Sequence, residues 1–203
     1  MIKNIVFDFG NVLVRYSPEY LTAPYVDNEE DLKLVSEVVF DRLYWDRLDK
    51  GTITDEEVVR LSCERLPKRL HSAAHDAYYN WVHRLPRIEG MWELVERLKK
   101  SGKVRLFLLS NIGSYFVDFL SEYPVLENME KCIFSAPIGK TKPDRDIFEY
   151  LIDTCDIIPE ETLFIDDSAK NIEGAASINI KGYLFDGDAE KLSQYIEKIL
   201  EKI

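Results

Sequence analysis

Several polar and charged side chains of the sequence follow apolar, strand-like runs or stand just before a helix start. Asp8 lies at the end of the apolar run Ile2 to Phe9. The other candidates are Ser110, Asn111, Lys142, Asp166 and Asp167. Because ligands of open parallel α/β sheets bind outside the carboxyl ends of the strands, these side chains are expected to share one rim of such a sheet.

Residues of these types can transfer a phosphoryl group with the help of a metal ion. Carboxylates from two strand ends can share Mg²⁺, which prefers oxygen ligands and commonly binds one or two carboxylates together with a substrate phosphate. Lys142 would supply a compact positive charge for phosphate oxygens, and Ser110 and Asn111 would supply neutral donors. An aspartate such as Asp8 can act as the nucleophile and take the phosphoryl group.

The elements that would position these residues alternate between helix and strand along most of the chain. The predicted strands are Ile2 to Phe9, Val104 to Leu109, Cys132 to Ser135, Thr162 to Ile165 and Gly182 to Phe185. The predicted helices end at Gly102, cover Ser114 to Ser121, follow Pro143, begin at Ser168 and begin at Asp188. This alternation predicts an α/β fold with a doubly wound, parallel, Rossmann-like sheet.

The segment from Arg15 to about Pro86 has no strand-like run and contains helix start signals of its own. Asn28 precedes acidic residues and an apolar helical pattern, and Thr54 to Glu57 has the spacing of a capping box. We therefore expect residues 15–86 to form an all-helical cap domain. It would be inserted between the two parts of an α/β core domain, residues 1–14 and 87–203.

Four short pieces of the sequence, taken in order, resemble the motifs of the haloacid dehalogenase-like hydrolase superfamily. These pieces are Val6–Leu13, Leu109–Asn111, Gly139–Asp144 and Phe164–Asn171. Each piece alone is a weak signal, but together they span essentially the whole chain. The resemblance implies a Rossmann-like core with a helical cap inserted after the first motif.

The resemblance also implies which residues act as nucleophile and metal ligands. Asp8 would be the nucleophile and a ligand of Mg²⁺, and Gly10 would contribute its backbone carbonyl to the metal. Asp167 would be the direct acidic ligand of the last motif. Asp166 would either bind the metal or orient a bound water, and the sequence leaves that choice open.

A second set of residues would hold the substrate. The resemblance implies that Ser110 and Lys142 hold the phosphoryl oxygens and take part in catalysis, with Lys142 also beside the Asp8 carboxylate. Asn11 and Asn111 are further substrate-binding candidates.

Gly10 departs from the pattern of the family's phosphatases, which usually have a second aspartate there. That aspartate serves as general acid for the leaving group and then as general base for water, and Gly10 has no side chain for either task. Unless a cap residue or water supplies the proton, esters with good leaving groups should be preferred. The pair Asp166 and Asp167 is nonetheless retained, whereas metal-free dehalogenases generally lack it.

These features together resemble a branch of the superfamily that includes sugar-phosphate phosphatases, notably for glucose 1-phosphate. We therefore expect a Mg²⁺-dependent phosphatase that hydrolyses a small phosphate ester, such as a sugar phosphate, through an aspartyl phosphate. Two alternatives stay open at this point. One is a metal-free 2-haloacid dehalogenase, and the other is a weakly active or non-catalytic protein that binds a phosphorylated metabolite.

The net charge limits the classes of molecule that the protein is expected to bind, and the cysteine content indicates the cellular compartment. The formal net charge of −11 disfavours nucleic acid and anionic lipid surfaces as partners, while a small phosphorylated metabolite stays possible at a locally positive site. Cys63, Cys132 and Cys155 are too few and too widely spaced for a disulfide framework. We expect a cytoplasmic protein that does not span a membrane. The oligomeric state and the physiological substrate are not set by the sequence.

Overall fold

A parallel β-sheet lies at the centre of the molecule. The computed structural model describes residues 1–201, and within that range five strands form one sheet. The strands are β1 (Asn4–Phe7), β2 (Arg105–Ser110), β3 (Lys131–Phe134), β4 (Thr162–Asp166) and β5 (Lys181–Leu184). They lie in the order β3-β2-β1-β4-β5, and every neighbouring pair is parallel. The predicted sheet is therefore confirmed.

The strand order determines where a ligand can bind. From β1 the chain continues to β2 and β3 on one side of the sheet, and then crosses back to β4 and β5 on the other side. In open α/β sheets, such a reversal opens a crevice at the carboxyl ends of the strands on either side of it. Here this crevice lies beyond the ends of β1 and β4.

The chain between β1 and residue 86 is helical throughout its regular elements. These are α1 (Pro18–Thr22), α2 (Glu29–Val39), α3 (Arg42–Asp49), α4 (Asp55–Arg65) and α5 (His71–Asn80), with short 3₁₀ turns between some of them. The expected helix starts are confirmed, since Asn28 caps α2 and Thr54 forms a capping box with Glu57.

The two ends of this helical segment lie side by side. Val14 pairs with Arg87 in an antiparallel bridge, and the Arg15 amide donates to the Pro86 carbonyl at 2.7 Å. A chain that leaves and returns at one place can carry an insertion without disturbing the sheet. A division into domains at residues 14/15 and 86/87 stays a prediction.

The remaining helices cover both faces of the sheet. They are α6 (Met91–Ser101), α7 (Ser135–Ile138), α8 (Arg145–Cys155), α9 (Ala169–Ala176) and α10 (Ala189–Leu200). The helix predicted over Ser114 to Ser121 is confirmed, but it is a 3₁₀ helix, Ser114–Glu122, and not an α-helix. Aromatic packing explains the difference: Phe116 stacks on Trp81 with ring centroids 5.8 Å apart, and tertiary contacts override local helical preference. Among residues 1–201, no helix is long and apolar enough to cross a membrane.

Strand β1 is buried on both faces, as expected of a central parallel strand. Ile5 and Phe7 belong to an apolar cluster that continues into the helical segment. Val6 belongs to a second cluster on the other face, together with Phe148 of α8 and Phe164 of β4. The end of β1 is therefore held firmly from two sides, which fixes the position of Asp8.

Helix α9 approaches the loop before α8 so closely that only glycine fits at Gly174. A methyl group there would lie 2.5 Å from the Pro143 carbonyl oxygen and 2.9 Å from a ring carbon of Phe148. We expect Gly174→Ala to lower the free energy of unfolding by about 1–3 kcal/mol in urea denaturation, because the backbone must shift.

Gly113→Ala is the matched control for this substitution. A methyl group at Gly113 would make only ordinary contact with Leu48, at 3.7 Å. Its free energy of unfolding should stay the same or rise by up to about 1 kcal/mol, as for glycine replaced by alanine at a compatible site. Equal stability of the two variants would contradict the close packing of α9 on this loop.

Candidate active site

Asp8 stands at the carboxyl end of β1 with its carboxylate held from two directions. Its backbone amide donates to the Ile165 carbonyl of β4 at 2.9 Å, which continues the sheet by one step. Its Oδ1 accepts hydrogen bonds from the Phe9 amide at 2.7 Å and from Lys142 Nζ at 2.8 Å. The side chain is thus oriented before any ligand arrives.

Asp166 ends the neighbouring strand β4 and is completely buried. Its Oδ1 accepts the Ser168 amide at 2.8 Å, its Oδ2 accepts Lys142 Nζ at 2.7 Å, and the Asn171 amide group donates to both oxygens at 3.0 and 3.1 Å. Asp167, the next residue, is exposed toward the cavity described below. The two adjacent aspartates therefore have opposite environments.

Lys142 links the two strand ends. Its ammonium group lies between the Asp8 and Asp166 carboxylates, and only 4% of the residue is exposed. Asn111 clamps its backbone: the Asn111 Oδ1 accepts the Lys142 amide at 2.8 Å, and the Asn111 Nδ2 donates to the Lys142 carbonyl at 2.8 Å. Asn111 thus positions Lys142, and its predicted contact with substrate stays a prediction.

Three carboxylates converge on this point. Asp8, Asp166 and Asp167 each place one oxygen so that the three oxygens lie within 4.8 Å of one another. Since Lys142 supplies one positive charge, the ionised cluster carries an excess of two negative charges. A small divalent cation with a preference for oxygen ligands fits this donor set.

The acidities of these groups reflect the crowding of negative charge. Burial raises the pKa of Asp8 above its ordinary value, Lys142 opposes this shift, and Asp166 adds to it. Partial burial and the charge of Asp166 likewise raise the pKa of Asp167. Burial lowers the pKa of Lys142, but the two aspartates outweigh it and the pKa lies above its ordinary value.

The turn after Asp8 is shaped by Gly10 and Asn11. Asn11 adopts a left-handed backbone conformation, with φ of 53°, which asparagine tolerates better than most residues. Its Oδ1 accepts the Tyr16 amide at 3.0 Å, and its side chain favours the ionised form of Asp167, which opposes the rise in the pKa of that carboxyl group. A methyl group at Gly10 would meet no atom within 4 Å, so the position has room for a side chain.

A cavity of about 550 Å³ opens over these residues. Asp8, Gly10, Asn11, Ser110, Asn111, Lys142 and Asp167 line it from the side of the sheet. Asp166 lies behind Lys142 and does not line it. Of the eight residues singled out from the sequence, the structure thus brings seven to one cavity and one directly behind it.

The helical segment forms the opposite wall of the cavity. Its aromatic lining residues are Tyr16, Phe40, Trp45 and Trp81. Tyr44, next to Trp45, does not line the cavity, and its hydroxyl accepts a hydrogen bond from Arg65. The segment therefore faces Asp8 across the cavity and can contact the part of a ligand that extends away from Asp8.

Some lining or supporting residues were not assigned a role from the sequence. They are Arg42, Asp49, Lys170 and Asn171. Lys170 and Asn171 lie inside the last motif, Phe164–Asn171, so a role near Asp166 could have been predicted from the sequence. Arg42 and Asp49 lie in α3, where only the folded structure shows that they face the site.

Comparison with known proteins shows the family. The model of the haloacid dehalogenase-like hydrolase family matches residues 2–179. A D-ribitol-5-phosphate phosphatase of Bacteroides thetaiotaomicron is 30% identical over 190 residues, covering 85% of this chain and 86% of that protein. A phosphorylated carbohydrates phosphatase of Thermotoga maritima is 21% identical, covering 89% and 83% of the two chains.

Solved structures share the fold at lower identity. A predicted HAD-like family hydrolase from Porphyromonas gingivalis superposes with a TM-score of 0.72 at 24% identity, covering 100% of both chains. A HAD family enzyme from Bacteroides thetaiotaomicron, in complex with magnesium and inorganic phosphate, gives a TM-score of 0.71 at 22% identity, covering 95% of this chain and 99% of that one. With the family model covering most of the sequence, the chain belongs to the haloacid dehalogenase-like hydrolase family.

Proposed function

We propose that this chain is a Mg²⁺-dependent phosphatase that hydrolyses a small phosphate ester through an aspartyl phosphate on Asp8. The observation that carries the proposal is the convergence of three carboxylates and Lys142 on the floor of one cavity. A metal-free 2-haloacid dehalogenase would have no use for such an excess of negative charge beside its nucleophile.

The named functions of similar proteins support the same proposal. The Bacteroides and Thermotoga proteins that match the chain are named as phosphatases of ribitol 5-phosphate and of phosphorylated carbohydrates. A structural neighbour holds magnesium together with inorganic phosphate. A sugar phosphate or polyol phosphate is therefore the first class of substrate to test.

Asp8 is the nucleophile in this proposal. Its carboxylate oxygen attacks the phosphorus atom, and the bond from phosphorus to the leaving oxygen breaks. The hydrogen bonds that Phe9 and Lys142 donate to Oδ1 hold the carboxylate in one orientation. The Asp8 carboxylate is therefore already oriented for attack, and no rotational entropy of this side chain has to be lost to reach the transition state.

Lys142 and Ser110 would bind the phosphoryl oxygens. Lys142 offers a fixed positive charge, because Asp166 and the Asn111 clamp keep it in place. The Ser110 hydroxyl lines the cavity at the end of β2 and makes no side-chain hydrogen bond to residues 1–201, so its donor is available.

The metal would be held by Asp8, Asp167 and the backbone carbonyl of Gly10. Bound Mg²⁺ would neutralise the local negative charge and polarise the phosphoryl oxygens. The exposed position of Asp167 supports it as the direct ligand. Asp166 uses both oxygens on Lys142, Ser168 and Asn171, which supports an orienting role for it.

The expected partner is a small molecule, and the expected location is the cytoplasm. The net charge of −11 disfavours nucleic acid, since phosphate backbones are repelled at long range. The walls contributed by Tyr16, Trp45 and Trp81 leave room for the body of a metabolite.

Replacing the nucleophile should abolish turnover. Asp8→Asn keeps the shape of the side chain but removes the nucleophile and an anionic metal ligand, so kcat for phosphate release should fall by more than about 10³-fold. Asp153→Asn, an exposed position on α8, is the matched control and should keep full activity. Phosphate release from 4-nitrophenyl phosphate measures both. Full activity of a contaminant-free Asp8→Asn preparation would contradict the assignment.

Magnesium should stabilise the fold as well as support activity. Because binding only to the native state adds stability, about 2.7 kcal/mol at a hundredfold excess over Kd, a Mg²⁺ titration should raise the Tm. In Asp167→Asn the same titration should give a much smaller rise. EDTA should stop phosphate release, and added Mg²⁺ should restore it. A Tm independent of Mg²⁺, with halide released from a 2-haloacid in EDTA, would instead support the dehalogenase.

A further inference from the structure

Asp49 is a buried carboxyl on the cap side of the cavity. It is the last residue of α3, only 9% of it is exposed, and it lines the same cavity as Asp8 and Lys142. Within residues 1–201, no hydrogen bond or ion pair engages its carboxyl group. Because the carboxyl group lines the cavity and has no protein partner there, it is available to a ligand.

Two other aspartates of the helical segment that are not fully exposed have arginine partners. Asp31 binds Arg69 and Asp41 binds Arg65. Arg42 lines the cavity on the helix that carries Asp49, but its guanidinium group pairs with Asp46 at 2.7 Å. Asp49 is therefore left facing the cavity without a counter-charge bonded to it.

The surroundings of Asp49 favour its protonated form. Burial raises the pKa of Asp49 to about 7, with Asp46 adding to the shift and the more distant charges of Arg42 and Lys142 opposing it. Its place at the carboxyl end of α3 also disfavours a negative charge there. Tyr16 faces it from the turn after β1, and its own pKa is raised by burial and by Asp49.

Gly10 leaves two tasks of the reaction without a residue. A phosphate ester with a basic alcohol needs a proton on its leaving oxygen, and the following hydrolysis needs a base for water. We propose that Asp49 performs both tasks from the cap side of the cavity. This inference rests on the proposed function of the Asp8 site.

Asp49 gives up a proton in the first step of the reaction and recovers one in the second. In the first step, Asp8 bonds to phosphorus, the leaving oxygen keeps the electron pair of its broken bond, and the Asp49 carboxyl group donates its proton to that oxygen. In the second step, the Asp49 carboxylate takes a proton from water while the water oxygen attacks phosphorus. The bond between phosphorus and Asp8 then breaks, which returns both aspartates to their starting forms and releases inorganic phosphate.

The experiment compares two esters in wild type and Asp49→Asn. For ribitol 5-phosphate, whose leaving group is a primary alcohol, kcat/KM should fall by about 10²–10⁴-fold, the usual contribution of a positioned general acid. For 4-nitrophenyl phosphate, whose leaving group needs no proton, kcat/KM should fall by less than about tenfold. Asp76→Asn, a partly exposed aspartate of α5, is the control and should change neither value.

A second variant separates proton transfer from a structural role. Adding Gly10→Asp to Asp49→Asn supplies a carboxyl group where the structure has open space, and it should restore much of the lost kcat/KM for ribitol 5-phosphate. Equal losses for the two esters, or none for either, would overturn the role of Asp49 alone. If wild type with Mg²⁺ hydrolyses neither these esters nor a panel of other sugar phosphates, the proposed function fails as well.

The proton on Asp49 can also be detected without turnover. A carboxyl group whose pKa is about 7 in the fold and 3.8 when unfolded contributes stability that is lost as pH rises through the folded pKa. The Tm of Asp49→Asn relative to wild type should therefore increase from about pH 5 to about pH 8. The Tm of Asp153→Asn, the exposed control on α8, should differ from wild type by the same amount at every pH in this range. A flat difference for Asp49→Asn would contradict a protonated Asp49.

Discussion

One ammonium group holds the site together. Lys142 Nζ lies 2.8 Å from Asp8 and 2.7 Å from Asp166, and these two carboxylates end adjacent strands of the sheet. Removing one partner of such a buried pair typically costs about 3–5 kcal/mol, because the remaining charge is left buried without a counter-charge. The Asn111 clamp and the close approach of α9 to Pro143 both fix the loop that carries Lys142. The charge balance of the site therefore depends on two features: the adjacent positions of β1 and β4 in the sheet, and the conformation of the loop that carries Lys142.

Much of the fold follows from local sequence patterns. Strands β1 to β4 consist mostly of apolar residues, and the helix starts at Asn28 and Thr54 follow from capping chemistry that is local to a few residues. The segment after Gly113 does not follow such a rule. Its 3₁₀ turns depend on aromatic contacts with Trp81 and Tyr79, residues far away in sequence, and periodicity carries no information about them.

Some residues of the site could likewise be predicted from the sequence, and others could not. Residues at strand ends, such as Asp8 and Ser110, could be found because parallel strands bring their carboxyl ends to one rim. The different environments of Asp166 and Asp167 could not be predicted from the sequence. They arise because Lys142 and Asn171 donate hydrogen bonds to Asp166, and this is visible only in the folded structure. Asp49 lies in a helix with no motif around it, and its importance depends on how the helical segment sits over the sheet. The sequence shows that Gly10 has no side chain, and the structure shows that Asp49 lines the same cavity as Gly10.

The central claim is that Asp8 carries the phosphoryl group during turnover. Wild-type protein mixed with Mg²⁺ and 4-nitrophenyl phosphate can be quenched in acid within a single turnover, digested, and analysed by mass spectrometry. We predict one added phosphoryl group on the peptide that contains Asp8, removable by hydroxylamine, and none in Asp8→Asn. Release of phosphate with no phosphoryl group on that peptide at any time during the turnover would contradict it.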